Sequence, residues 1–248
     1  MIRAKSLTKV FGEKVAVDHI DINVGEGEIY AFLGPNGAGK TTTLKMLTGV
    51  MRPTEGEVMV LDKDIFKHPV EVKRMIGVVP DEPKMYPSLK GWEFLKFIMS
   101  VYRADDEVTR QRMENLVEVF SVDYLDRYIF EMSHGMKQKL MLVSVLMRKP
   151  KVVFLDEPSV GLDVIATAVL KEILKKHAED GGTIFLTTHI LDMAQNLASR
   201  IGIISEGKIV AEGTVDELKL MAGRKDLEEV FIKLTGNEDR LREMLEKL

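Results

Sequence analysis

Gly34-Pro35-Asn36-Gly37-Ala38-Gly39-Lys40-Thr41 is the stretch that decides the fold. It fits G-x-x-x-x-G-K-[ST] and stands between an apolar β-prone run, Glu28 to Leu33, and a helical stretch, Thr41 to Leu47. Glycines let the backbone curl until successive N–H groups point inward and cradle an anion. The N-terminus of the following helix adds its positive dipole end. In such a loop Lys40 reaches terminal phosphates and the Thr41 hydroxyl can ligate Mg²⁺. Outside that context the octet would be a glycine-rich turn with an exposed lysine.

Further apolar runs lie at Ile76 to Val79, Val152 to Leu155, Thr183 to Thr187 and Ile201 to Ile204. Short continuous runs of this kind suit strands buried on both faces of a parallel sheet. Helical periodicity separates them: Met136, Leu140, Val143 and Met147 form one stripe, and Met113, Leu116, Val117 and Phe120 another. The expected fold class is α/β, a P-loop NTPase core around a parallel sheet. From about Lys84 to Arg148 only helices are expected, an α-helical insert bracketed by Pro80, Pro83 and Pro87 at its entry and Pro150 at its exit. After about Gly207 a short strand pair is expected, then charged amphipathic helices ending Leu241-Arg242-Glu243-Met244-Leu245-Glu246-Lys247-Leu248.

Val152-Val153-Phe154-Leu155-Asp156-Glu157 is a strand ending in two acids. A carboxylate at the tip of a neighbouring parallel strand stands beside the phosphate loop, at the edge where ligands bind. Asp156 can hold Mg²⁺ directly or through water. Glu157 points elsewhere and can act as a general base on an attacking water.

Composition narrows the rest. The 248 residues carry a formal net charge of −4, which offers no basic excess for a phosphate backbone, so no nucleic-acid partner is expected. The absence of cysteine excludes a disulfide framework, a thiolate metal site and a Cys nucleophile. The first residues lack an apolar signal region, and the longest apolar stretch, Leu140 to Met147, is far too short to span a bilayer. The 15 methionines are read as core filling.

With these segments in order, the chain resembles the ATP-binding subunits of ATP-binding cassette (ABC) transporters over nearly its whole length. Met132-Ser133-His134-Gly135-Met136-Lys137-Gln138 is similar to the family signature, Ser159-Val160-Gly161-Leu162-Asp163 to the loop carrying its interface aspartate, and Thr187-Thr188-His189 to the strand end carrying its switch histidine. Phe11 precedes the phosphate loop by about the distance of the aromatic that stacks on adenine.

The resemblance implies an N-terminal antiparallel β subdomain, an ABC ATPase domain over 1–222 with the helical subdomain inserted at about 84–148, and a short helical extension over 223–248. It implies that ATP is held by Phe11 and by residues Gly34, Pro35, Asn36, Gly37, Ala38, Gly39, Lys40, Thr41 and Thr42, with Val17 flanking the adenine. Mg²⁺ would be held by Thr41, Asp81 and Asp156, and hydrolysis carried by Glu157 and His189. In a head-to-tail dimer with a second ATP-binding subunit, identical or related, Ser133, His134 and Gly135 would close on the partner's nucleotide, and Asp163 would link the sites. A separate integral membrane permease would dock near Asp81 to Tyr102, placing the chain at the cytoplasmic face of the membrane. Leu227 to Gly236 resembles the C-terminal element of multidrug-type, sodium-type and polysaccharide-type exporters, which implies export. The alternatives are a soluble ABC ATPase for assembly, repair or translation, and a non-enzymatic nucleotide-gated module, whose base at the Glu157 position would usually be missing.

Two positions depart from the pattern. Asp81 stands where the family has a glutamine; a carboxylate binds a hard cation more directly but, ionised, cannot donate a hydrogen bond. His134 replaces the first glycine of the signature, so crowding of the partner's nucleotide and a slow or asymmetric ATPase are expected.

Overall fold

The structure is a computed structural model that describes residues 1–236. The chain opens with β1 (Ile2–Phe11), β2 (Lys14–Val24), β3 (Ile29–Leu33), α1 (Lys40–Leu47), β4 (Glu55–Val60), β5 (Lys63–Asp64), α2 (Pro69–Met75) and β6 (Ile76–Val79). Helices α3 (Gly91–Tyr102), α4 (Glu107–Val119) and α5 (His134–Leu146) follow. Then come β7 (Val152–Asp156), α6 (Val164–Glu179), β8 (Thr183–Thr188), α7 (Leu191–Leu197), β9 (Arg200–Ser205), β10 (Lys208–Gly213), α8 (Val215–Ala222) and α9 (Leu227–Leu234).

The central sheet has the order β10-β9-β3-β8-β7-β6. All neighbours are parallel except β10, which closes one edge antiparallel to β9. Along β3, Ile29, Ala31 and Leu33 enter one core while Tyr30 and Phe32 enter the other. Both faces are covered, so polar alternation disappears and the strand reads as one apolar run. β7 divides the same way, Val153 and Leu155 against Val152 and Phe154. On the second face the rings of Tyr30, Phe32, Phe154 and Phe185 pack with centroids 5.5 to 6.5 Å apart.

That second core is shared with an antiparallel sheet of order β2-β1-β4-β5. Leu44, Met46 and Leu47 of α1 seal it. The hairpin between β1 and β2 turns at Gly12 (φ 56°), pairing Phe11 with Lys14 and holding both at its tip. Helices α3 to α9 cover the opposite face. Between β6 and β7 the chain is helical apart from short turns and one isolated bridge, Lys90 to Tyr128. The longest apolar stretch is α5, buried without a break from Leu140 to Met147.

One expectation is corrected. A single strand, β10, follows Gly207; its hairpin partner β9 precedes that turn. The apolar run Ile201 to Ile204 is thus both a parallel neighbour of β3 and one arm of the hairpin. The tail Leu241 to Leu248 lies outside the described residues. Among the described residues no helix is long and apolar enough to cross a membrane.

Candidate active site

The octet leaves β3 and turns directly into α1, with Gly39 as the helix N-cap. Gly39 has φ 113°, and a Cβ there would sit 2.7 Å from the Ala16 carbonyl oxygen. A Cβ on Gly34 would sit 2.5 Å from the Ile204 carbonyl oxygen. Only glycine tolerates both the conformation and the approach. Lys40 is 6% exposed, and its Nζ donates to the carbonyls of Gly34 (2.8 Å) and Pro35 (3.2 Å). It also stands 3.5 Å from Glu157 Oε1. The ammonium is thereby folded back across the mouth of its own loop.

Asp156 ends β7, which pairs with β8; β8 thus stands between it and β3, where the sequence reading places the two strands side by side. Its Oδ1 accepts from Thr41 Oγ1 (3.3 Å) and from Thr187 Oγ1. Burial pushes its carboxyl above the usual carboxylate range; the two threonine hydroxyls oppose this, and the charges of Asp81 and Glu157 reinforce it. Among the described residues no cation forms an ion pair with Asp156, so the site is short of positive charge. Nor do three His, Cys, Asp or Glu side chains gather into a metal cluster among them. A hard cation here has oxygen donors in Asp156 and Thr41 and needs the rest of its shell from phosphate and water.

Glu157 has φ 47°, unusual for a side chain of this length. The conformation is held from both sides. Its N–H donates to Thr187 O (3.0 Å), its carboxylate accepts from the His189 N–H (3.2 Å), and His189 Nδ1 stands 2.9 Å from the other carboxylate oxygen. The side chain thus turns away from Asp156 and joins Lys40 and His189.

An open cleft of about 320 Å³ gathers these groups, lined by Phe11, Asn36, Gly37, Gly39, Lys40, Thr41, Thr42, Asp81 and Glu157 among others. Phe11 is 46% exposed, with Lys9 Nζ 5.2 Å from the ring centroid. Val17 is fully buried in the core, so it backs the site instead of offering a face to a ligand. Sequence patterns did not single out Lys14 and Ala16, which also line the cleft, because the β1–β2 hairpin delivers them. Thr187 was quoted only as part of a strand end; two threonines closing an apolar run were the available signal.

Ser133, His134 and Gly135 do not line this cleft. Ser133 N-caps α5, accepting from the Met136 N–H at 3.3 Å. Asp163 N-caps α6 through the Ala166 N–H (2.8 Å) and pairs with Lys139 (2.8 Å); these contacts, Lys139 foremost, lower its carboxyl pKa.

A glycine loop at a helix start, an acid at the end of β7 with β8 between it and the loop's own strand, and a second acid turned toward a histidine define a P-loop nucleoside triphosphatase. A family model described as ABC transporter matches residues 17–160. The chain belongs to the ABC transporter family, among its ATP-binding subunits. It is 34% identical over 97% of its length to the probable multidrug ABC transporter ATP-binding protein YbhF of Escherichia coli (strain K12), and spans 42% of that relative. It is 35% identical over 92% of its length to the bacitracin transport ATP-binding protein BcrA of Bacillus licheniformis, covering 74% of it. Among solved structures, an ATP-binding subunit of an ABC transporter superposes with TM-score 0.90 at 29% identity, covering 95% of this chain and 99% of that one. A dimeric bacterial ABC transporter cassette gives TM-score 0.78 at 26% identity, covering 87% and 99%.

Proposed function

We propose that this chain is the Mg²⁺-dependent ATPase of an exporter, working as a head-to-tail dimer beneath a separate membrane permease. The observation that carries the proposal is the division of the site. The cleft gathers the phosphate loop, Asp81 and Glu157, with Asp156 and His189 bonded to its lining, yet leaves out Ser133 to Gly135. The start of α5 exposes Ser133 and is an anion-binding end that stands outside the chain's own cleft. A second copy or a relative supplies the anion, as ATP on its own phosphate loop. The dimeric cassette among the structural relatives supports this arrangement.

In this scheme Phe11 stacks on adenine and residues 34–42 enclose the phosphates. Thr41, Asp156 and Asp81 would hold Mg²⁺, which supplies charge neutralisation across the β- and γ-phosphates. Lys40 leaves its two carbonyl acceptors and Glu157 for the phosphates. That release frees one Glu157 oxygen to take a proton from water while His189 keeps the carboxylate oriented. Water oxygen bonds to the γ-phosphorus as the bond to the β-bridging oxygen breaks, giving ADP and inorganic phosphate; the proton goes to Glu157. Ser133 and the Gly135 N–H would hold the partner's γ-phosphate, His134 would border it, and Asp163 would face across the interface. Loss of the γ-phosphate would open the dimer, and the segment from Asp81 to Tyr102 would pass the motion to the permease at the cytoplasmic face.

The test is ATP turnover with and without Mg²⁺, together with size-exclusion chromatography of Glu157→Gln in ATP. Turnover that needs Mg²⁺ and a Glu157→Gln dimer are expected. Monomers in saturating ATP would count against the divided site. Co-purification with an integral membrane protein separates the exporter from a soluble ABC ATPase.

A further inference from the structure

The first turns of α5 are fastened to the turn that begins at Glu157. A Cβ on Gly135 would stand 2.3 Å from the Gly161 carbonyl oxygen, so the two backbones touch. Lys139 reaches Asp163. Deepest of these contacts is Gln138, fully buried, whose Nε2 donates to the Pro158 carbonyl at 3.2 Å. That bond fixes the amide's orientation and, among the described residues, leaves Gln138 Oε1 buried without a partner. Ser159 Oγ, one residue beyond Pro158, is buried and unpartnered as well.

Gln138 Oε1 is an acceptor and Ser159 Oγ, next in the chain to the carbonyl that Gln138 holds, can donate; each is costly unpaired and complementary to the other. They also flank the residue that needs holding. The strained backbone of Glu157 is tied on its N-terminal side to β8, through Thr187 O. On its C-terminal side the Glu157 carbonyl accepts from the Val160 N–H (3.1 Å), and the next residue, Pro158, is held by Gln138. We infer that Gln138, acting with Ser159, is a positioning residue for Glu157: it carries engagement of the signature turn at one nucleotide into the placement of the general base at the other. As water attacks in the closed dimer, Gln138 Oε1 pairs with Ser159 Oγ and draws the Glu157 turn against α5, so the pair stabilises the reacting state and not closure itself. A chain whose signature is not engaged leaves the two groups unpaired and holds its base only through Thr187 and His189. The inference rests on the dimeric ATPase proposed above.

The experiment uses the full chain with Gln138→Met, Ser159→Ala and the double variant. It reads kcat and KM for Mg·ATP, the Kd of a fluorescent ATP analogue, and dimer formation in a Glu157→Gln background. Loss of one hydrogen bond in the aligned state predicts a fall in kcat of about tenfold for Gln138→Met and about threefold for Ser159→Ala. KM, Kd and the dimer should stay within about twofold of wild type, and the double variant should fall no further than Gln138→Met alone. Both single variants at wild-type kcat, effects that multiply in the double, or a fall matched by equal loss of affinity or dimer would each overturn the inference. If Gln138→Met does not fold, Ser159→Ala decides, and a wild-type kcat there overturns it. A wild-type chain that neither hydrolyses ATP nor dimerises as Glu157→Gln would instead sink the proposed function.

Discussion

Asp156→Asn separates what stabilises the fold from what serves the chemistry. Asp156 is 3% exposed and uses Oδ1 for both threonine hydroxyls. An asparagine Oδ1 keeps both bonds in the same shape, so only the charge is lost. That charge is buried, lies near two further acids and has a carboxyl pKa raised above the usual range. Removing it relieves like-charge repulsion and desolvation, and relief of this kind at a functional site contributes about 0.5–2 kcal/mol. For a chain of this size each kcal/mol moves Tm by about 2–4 °C, so nucleotide-free Asp156→Asn should melt about 1–8 °C above wild type near neutral pH. With Mg²⁺ and ATP the order should reverse. Ligand at about a hundred times its Kd adds about 2.7 kcal/mol to the wild type, and the Mg²⁺-dependent part of that gain should vanish from the variant. Thermal melts without nucleotide, in ATP with EDTA, and in ATP with Mg²⁺ measure both effects. A variant less stable than wild type without nucleotide, or one that keeps the full Mg²⁺-dependent gain, would refute the reasoning.

Phe11→Ala should weaken ATP binding by about 1–3 kcal/mol, the worth of one base–aromatic stack, with unchanged Tm because the ring is half exposed; equilibrium titration reads it. Glu157→Gln should cut turnover by about 10²–10⁴-fold while ATP still binds, as single-turnover kinetics would show. Asp81→Gln should alter the Mg²⁺ requirement of hydrolysis, and an unchanged Mg²⁺ titration and rate would remove Asp81 from the site. His177 is buried with Nε2 unpartnered, and burial lowers its pKa, with Lys149 adding to the effect. The folded chain therefore resists the proton that the unfolded chain accepts, so stability falls as pH drops from about 6.5 toward the lowered pKa. In His177→Phe this part of the acid loss should disappear from melts between pH 7.5 and 5; identical pH profiles would exclude it.

The parallel sheet was legible because two-sided burial leaves continuous apolar runs in β3, β7 and β8, with polar residues confined to strand ends, and the phosphate loop because its glycines are demanded by φ and by backbone approach. The antiparallel sheet was legible only through family resemblance. Its strands are half exposed, and its register shifts between Ala4 and Leu7 and again between Leu7 and Lys9, with Ser6 and His19 at positive φ. Each shift moves the apolar side of the strand and erases the period of two. Lys14, Thr187 and Gln138 were missed because their positions come from pairing and packing. Lys14 depends on a hairpin, Thr187 on the neighbouring strand, and Gln138 on a carbonyl twenty residues further along.

His134 shows how a departure in sequence is absorbed in space. A side chain at the first glycine of the signature was expected to crowd the partner's nucleotide. In the structure the imidazole instead lies on Gly161: a Cβ built there would meet His134 Cδ2 at 2.5 Å and Nε2 at 3.3 Å. Gly161 has φ 80° and no side chain, so it offers both the turn and the room. The added bulk at 134 therefore packs on the turn that carries Gly161, close to the Lys139–Asp163 pair. In this geometry His134→Gly would remove a contact between α5 and that loop without clearing a path for the partner. The rate should then stay the same or fall; a faster enzyme after His134→Gly would show that the ring swings toward the nucleotide when the dimer closes.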